Sequence, residues 1–158
     1  MSEWLSERRS RLRLEAHPEG GHFREVYRSS STLPLPRGQR SLLTSIHFLL
    51  APGEVSRWHR VRADEAWCFY EGAPVDLYLL DDAGHLAHHR LGPSPGGEAL
   101  AVVPAGYWQA AECRGQPGSH VTCTVAPGFD FSDFRLAAPG ELAGLCPEHE
   151  ALVRRLGG

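Results

Sequence analysis

The sequence predicts an all-β fold, a closed barrel or a double-sheet sandwich, with short helices at its edges. Three observations carry this. From about Gly20 onward most runs alternate with a period near two, the spacing that places every second residue on one face of a strand. Turn clusters rich in glycine and proline interrupt the alternation at short intervals. Little of the chain between its two ends has a helical pattern. Many short strands punctuated in this way are the mark of barrels and sandwiches.

Taken in order, Ser2 followed by EWLSERRSR reads as an N-capped helix over residues 3–12, with acidic residues early and arginines late. Candidate strands are His22–Arg28, Ser41–Leu50, Glu65–Tyr70, Val75–Leu80, Leu86–Leu91, Ala99–Val103, Trp108–Glu112 and Val121–Ala126. The segments LPLPRGQ, APGE, EGAP, DDAG, GPSPGG, PAG, CRGQPGS and APG read as turns, and DDAG as a tight hairpin. RWHRVR reads as a charged connection. The tail predicts a closing helix over about 147–156, with Pro147 near its start and Gly157 past its end. No repeat, linker or low-complexity block divides the chain. Residues 1–158 therefore read as one domain whose barrel covers about 20–135.

Composition narrows the function. A length of 158 residues is enough to bury a core, and a formal charge of −3 gives no basic surplus for nucleic acid. Charges of both signs are mixed along the chain, which argues against a membrane-surface partner, and no apolar run is long enough to span a bilayer. All 16 basic residues are arginine, which removes Schiff-base and phosphate-loop lysine chemistry. The four cysteines form no CxxC pair, and the first residues lack the apolar stretch of a signal peptide. Reduced thiols in a cytoplasmic protein are the expectation, with Cys68 and Cys123 as small core residues.

Alternation also nominates functional side chains. Over Glu65–Glu71 it puts Glu65, Trp67, Phe69 and Glu71 on one face, which reads as inward, and a turn would bring His59 beside Glu65. Tyr107 and Gln109 share a face after the PAG turn, and Ser45 shares one with His47, opposite Thr44, Ile46 and Phe48. Of these, Glu65 is the side chain that most demands a partner, because a buried carboxylate is costly alone.

In GEVSRWHRVRADEAWCFYEG, Gly53, His59, Glu65 and Gly72 match the first cupin motif, with Val61 at its second histidine. Pro104, Ala105 and Gly106 match the second motif, with Gln109 at its histidine. HPEGGHFREVYRS, WHRVRADEAWCFYEG, VPAGYWQAA, TVAPGFDFSDFRLA and CPEHEALVRRL, in that order, resemble the Cupin_5 group of the cupin superfamily. The resemblance implies a double-stranded β-helix, a cupin jelly-roll barrel, found as a homodimer.

These residues could support three uses of the site. In the first, the barrel binds a small polar or carbohydrate-like molecule, with Ser45, His47, Trp67, Phe69 and Gln109 as contacts. The second is metal-free epimerisation or isomerisation beside a carbonyl, with His59 as base, Glu65 or Asp64 fixing its tautomer, and Tyr107 or Tyr78 as acid. The third is a weakly bound divalent metal on His59, Glu65 and Gln109. The expected cofactor is thus none or such a metal.

Other features have plainer readings. His85, His88 and His89 read as an outer polar surface, and HPEGG as a bend, with His17 and Glu19 as secondary pocket candidates. Arg24 and Arg28 read as surface ion pairs, and the phenylalanines of APGFDFSDF as core or dimer contacts. No nucleophile elbow or Ser/His/Asp order supports hydrolase chemistry.

Overall fold

The computed structural model describes residues 2–158. Helix α1 (Glu3–Arg11) is followed by β1 (Glu15–Ala16), β2 (His22–Arg28), β3 (Thr32–Leu35), β4 (Gly38–Ser41), β5 (Thr44–Leu50), β6 (Val55–Val61) and β7 (Asp64–Gly72). Then come β8 (Val75–Leu80), β9 (Leu86–Leu91), β10 (Leu100–Val103), β11 (Trp108–Cys113), β12 (Ser119–Ala126), β13 (Phe134–Leu136) and helix α2 (Glu150–Arg155). The strands form a six-stranded sheet, in the order β1-β2-β5-β12-β7-β10, and a five-stranded sheet, β13-β6-β11-β8-β9. β3 and β4 make a separate hairpin. The two larger sheets are not closed onto each other, so of the two architectures expected the sandwich form of the jelly roll is the one adopted.

Register explains what lies inside. Across the six-stranded sheet one inward row runs Phe23, Phe48, Val121, Phe69. The next runs Glu25, Ile46, Cys123, Trp67, Ala101. A third runs Arg28, Thr44, Val125, Glu65, Val103. The first two rows pack against Val75, Leu77, Leu79 and Ala111 of the five-stranded sheet to make the main core. That sheet is covered on its other side as well. Trp58, Tyr78, Leu80, Trp108 and Ala110 pack beneath Leu142, Cys146, Val153 and Leu156 of the C-terminal segment, and Trp58 Nε1 donates to the Val153 carbonyl at 3.0 Å. Burial on both faces is why β8, VDLYLL, reads as a continuous apolar run rather than an alternating one.

Four of the strands expected from alternation differ from those observed only at their ends, and three match to the residue. Ser41–Leu50 is instead divided: Ser41 closes the β3–β4 hairpin, and β5 begins at Thr44. The charged connection RWHRVR is also a correction, because all of it but Arg62 lies within β6. Its period is broken by a bulge opposite β11, where Gln109 pairs with His59 but Ala111 pairs with Ser56. Four strand residues thus face three, and Ser56 and His59 both turn toward the interior.

The HPEGG bend packs against β6. Gly20 has φ +108°, and a Cβ there would lie 2.2 Å from the Val55 carbonyl oxygen. Gly53 has a comparable φ of +81° but open space around it. Gly53→Ala is therefore expected to cost only left-handed backbone strain, about 1–2 kcal/mol. Gly20→Ala should add a backbone clash and cost clearly more. Urea unfolding of both variants checks the order, and equal losses would mean that the bend relaxes away from β6.

Candidate functional site

The inward rows and the HPEGG bend enclose a cavity of about 370 Å³ between the sheets. Its walls are aromatic and aliphatic: Phe23, Ile46, Phe48, Val61, Trp67 and Val125, with Phe129, Phe131 and Phe134 from the segment after β12. Into this apolar space project His17, Glu19, His59 and Glu65, while Glu25, Arg28 and Asp130 add charge to the lining. His59, Glu19 and Glu65 are each buried.

Glu19 is placed by the bend. Its backbone carbonyl accepts from the Arg57 N–H at 2.8 Å, which ties the bend to β6. Its Oε1 accepts from Ser56 Oγ at 2.7 Å, and its Oε2 lies 3.2 Å from His59 Nε2. The β6 bulge is what lets Ser56 and His59 reach the same carboxyl group. Nδ1 of His59 lies 2.7 Å from the Arg57 carbonyl, which can only accept, so Nδ1 carries a proton. In the neutral ring Nε2 is then a lone pair aimed at Glu19. His17 presents the same sign, because its Nδ1 accepts from the Glu19 backbone N–H at 3.3 Å and also lies 3.3 Å from Glu19 Oε2. With both rings neutral, Oε2 is flanked by two acceptor nitrogens, an environment that favours the protonated carboxyl.

An imidazolium–carboxylate pair would satisfy the same atoms, but the buried setting favours a neutral acid beside a neutral imidazole. Burial likewise pushes the Glu19 carboxyl up to about 8 and lowers His59 from its ordinary value. It also pushes His17 down to about 4, with the neighbouring His59 adding to the effect.

Glu65 sits among donors instead. Its Oε2 accepts from Gln109 Nε2 at 2.7 Å, and Gln109 Oε1 accepts from Trp67 Nε1 at 2.8 Å. The Trp67 donor therefore fixes the orientation of the amide, and the amide presents N–H to the carboxylate. Burial pushes Glu65 up to about 7, against the opposing pull of His59 and the Gln109 bond.

Several expected site residues lie elsewhere. Ser45 and His47 face away from the cavity, because Ile46 and Phe48 take the inward side of β5. Ser45 Oγ pairs with Thr124 Oγ1 at 3.1 Å, and His47 Nδ1 with His120 Nε2 at 2.9 Å. Phe69 points inward but is consumed by core packing, as is Tyr107, and neither lines the cavity. Tyr78 lies on the outer side of the five-stranded sheet, where its hydroxyl donates to Glu112 at 3.2 Å. Gln109 supports Trp67 and Glu65 rather than lining the space. His59, Glu65 and Trp67 are at the cavity as expected. His17 and Glu19, read as a bend first, are part of its lining.

Of the phenylalanines after β12, Phe129 and Phe134 pack against a core cluster as expected, and all three also form the cavity wall. Phe131 stacks over His17 with centroids 5.9 Å apart, and Phe134 lies 5.4 Å from the His59 ring. Arg28 pairs with Glu25 at 2.7 Å as expected, but both residues line the cavity. The surface histidines pair separately, His85 with Asp81, His88 with Asp76 and His89 with Glu98.

The metal-binding set His59, Glu65 and Gln109 does not fit a metal. Gln109 has its oxygen turned to Trp67 and its N–H to Glu65, and Val61 has no donor atom. Among the described residues no group of three or more His, Cys, Asp or Glu side chains is arranged to hold an ion.

The family model described as "Cupin superfamily (DUF985)" matches residues 8–137. The chain belongs to the Cupin_5 family. A Shewanella oneidensis protein of solved structure is 36% identical, with a TM-score of 0.88 over 97% of this chain and 96% of its own. A hypothetical protein from Leishmania major is 30% identical, with a TM-score of 0.87 over 96% of this chain and 97% of its own. Bacillus subtilis oxalate decarboxylase is 20% identical, with a TM-score of 0.58 over 77% of this chain and 29% of its own, a likeness of fold alone. Among curated proteins no sequence matches. No helix among the described residues is long and apolar enough to cross a membrane.

The two buried carboxyls make stability pH-dependent. A carboxyl whose value is raised in the folded state stabilises most below its unfolded value, and that contribution is lost as pH rises through the folded value. For Glu65 and Glu19 the loss runs from about 4.5 to about 7 and about 8 respectively. The lowered histidines act in the opposite sense and have largely finished titrating only above about 7.5, one unit past their unfolded value. Between about pH 7.5 and 8.5, unfolding free energy should therefore fall, by at most about 1.4 kcal/mol per pH unit for each proton involved. Urea titrations across that range should show the slope, and Glu19→Gln should reduce it. An unchanged slope in that variant would mean that Glu19 is already ionised.

Proposed function

We propose that this cupin binds a small molecule in the cavity between its sheets, one that offers a ring or CH-rich face to the aromatic walls and hydroxyl or carbonyl oxygens to Glu19 and Glu65. A carbohydrate-like molecule meets both demands, and so does a ring-bearing hydroxy ketone or keto acid. The observation that carries this reading is the pairing of buried acid groups with aromatic walls in one 370 Å³ space. That volume lies within the range of small-molecule sites. Buried polar groups in such a setting are costly to folding, and ligand contact is what would offset them. The reading includes a homodimer, and Tyr70, Leu100 and Val102 are the exposed apolar side chains on β7 and the edge strand β10 available to a second copy.

A thermal-shift panel of monosaccharides, sugar acids and α-hydroxy or α-keto carbonyl compounds tests the binding. A true ligand at 100 times its Kd adds about 2.7 kcal/mol to stability and raises Tm accordingly. Val61→Phe, which projects a ring into the cavity, should abolish the shift while leaving a cooperative melt. If no compound class shifts Tm, or if Val61→Phe shifts equally, the cavity is not the binding site.

A further inference from the structure

We propose that Glu65 and Glu19 form a general base and general acid pair that enolises a small α-hydroxy carbonyl compound seated against the aromatic wall. This deepens the binding reading above and rests on it. The assignment comes from hydrogen-bond polarity. Both carboxyls line one cavity, yet their partners have opposite character. Glu65 Oε2 receives an N–H from Gln109 at 2.7 Å, the environment of a carboxylate. Glu19 Oε2 lies between His59 Nε2 at 3.2 Å and His17 Nδ1 at 3.3 Å, both acceptors, which is the environment of a carboxylic acid. Two carboxyls held in opposite protonation states around one space are the arrangement that proton transfer in both directions requires.

The same geometry favours a carboxyl over His59 as the base. Nδ1 of His59 donates to the Arg57 carbonyl at 2.7 Å and its Nε2 lies 3.2 Å from Glu19 Oε2, so its one free lone pair faces a carboxyl oxygen. His59 is a positioning residue, holding the Glu19 proton in place. Tyr107 does not reach the cavity, and among the described residues the lining contains no tyrosine, so the acid role falls to a carboxyl. Burial also brings both carboxyls near neutrality, where acid–base catalysts work best.

The step balances without a cofactor. A Glu65 oxygen takes the proton from the carbon next to the ligand carbonyl, and the C–H electron pair becomes the C=C bond. The carbonyl π pair moves onto oxygen, which takes the proton of Glu19. The product is a neutral enediol, with Glu65 protonated and Glu19 ionised. Return of the enediol proton to Glu19, and of the Glu65 proton to carbon, closes the cycle. If the Glu65 proton exchanges with solvent first, deuterium from D2O appears at that carbon.

The test uses 2-hydroxyacetophenone, whose phenyl ring suits the aromatic wall, with dihydroxyacetone as a companion that lacks the ring. Loss of the methylene proton signal is followed by NMR in D2O, and saturation transfer on the same samples reports binding. The wild-type chain should exchange the methylene protons faster than buffer, equally with and without EDTA, and faster for the aromatic compound. Glu65→Gln should slow exchange by about 100-fold or more while ligand still binds, and Glu19→Gln should slow it by a similar factor. Glu65→Asp keeps the charge and shortens its reach, giving a second reading if the glutamine variant melts early. Binding without exchange overturns the acid–base pair and leaves the binding reading standing, whereas no saturation transfer from either compound overturns both. Exchange abolished by EDTA, or retained in either glutamine variant, also overturns the pair.

Discussion

A carboxyl group taken out of water must be given hydrogen-bond partners or a proton, and this protein buries two such groups in one apolar space. Much of the surrounding architecture is the means of doing so. Glu65 is satisfied through a chain that begins in the core, where Trp67 turns Gln109 and Gln109 donates to the carboxylate. Glu19 accepts from Ser56 and lies against a histidine whose tautomer is set by the β6 backbone. Each solution constrains the backbone behind it. The β6 bulge is needed for Ser56 and His59 to reach Glu19 together, and the close approach of Gly20 to Val55 is needed to bring Glu19 to that strand.

The aromatic wall has a separate anchor. Arg40 grips Asp133 through two bonds of 2.8 and 2.9 Å, and Arg37 adds a contact at 3.2 Å. Such a pair contributes more to placing a segment than to overall stability. Here it places Phe131 and Phe134, which flank Asp133, beside the His17 and His59 rings. The Phe129 N–H donates to Thr44 Oγ1 at 2.9 Å and the Phe129 carbonyl accepts from Arg28 at 3.0 Å, so the near end of the segment is held to the six-stranded sheet. The wall is therefore a braced part of the fold, tied at both ends by polar contacts. Its rings keep water from the carboxyls and strengthen every electrostatic contact between them.

What could be read in the sequence, and what could not, follows from the same features. Strands with clean alternation or continuous apolar runs were legible, because burial on one or two faces leaves a periodic trace. β6 was not, because its bulge breaks the period and its arginines resemble a loop. The β3–β4 hairpin was hidden by the prolines of LPLPRGQ, which read as turn residues although Pro34 sits on a strand that pairs on one side only. At the site, Glu65, Trp67 and His59 were legible from facing and motif spacing. Ser45 and His47 were misassigned because polarity was weighed above packing, whereas Ile46 and Phe48 decide the inward face. Glu19 and the three phenylalanines reach the cavity through non-local contacts that no local pattern encodes. The signal that could have found them is the density of aromatic residues after β12, together with an HPEGG block that pairs a histidine and a glutamate with two glycines.

The departures from the cupin motifs form a consistent set when read as one environment. Val61 turns a ligand position into part of an apolar wall, next to Phe134 in register. Gln109 turns another into a donor for Glu65, which lets that carboxylate stay buried without a cation. The retained motif histidine, His59, then faces a second glutamate supplied by the N-terminal bend. A cation approaching His59 Nε2 would meet the N–H rather than the oxygen of Gln109. Where a metal would bring positive charge to this centre, the structure presents the amide N–H of Gln109 to Glu65.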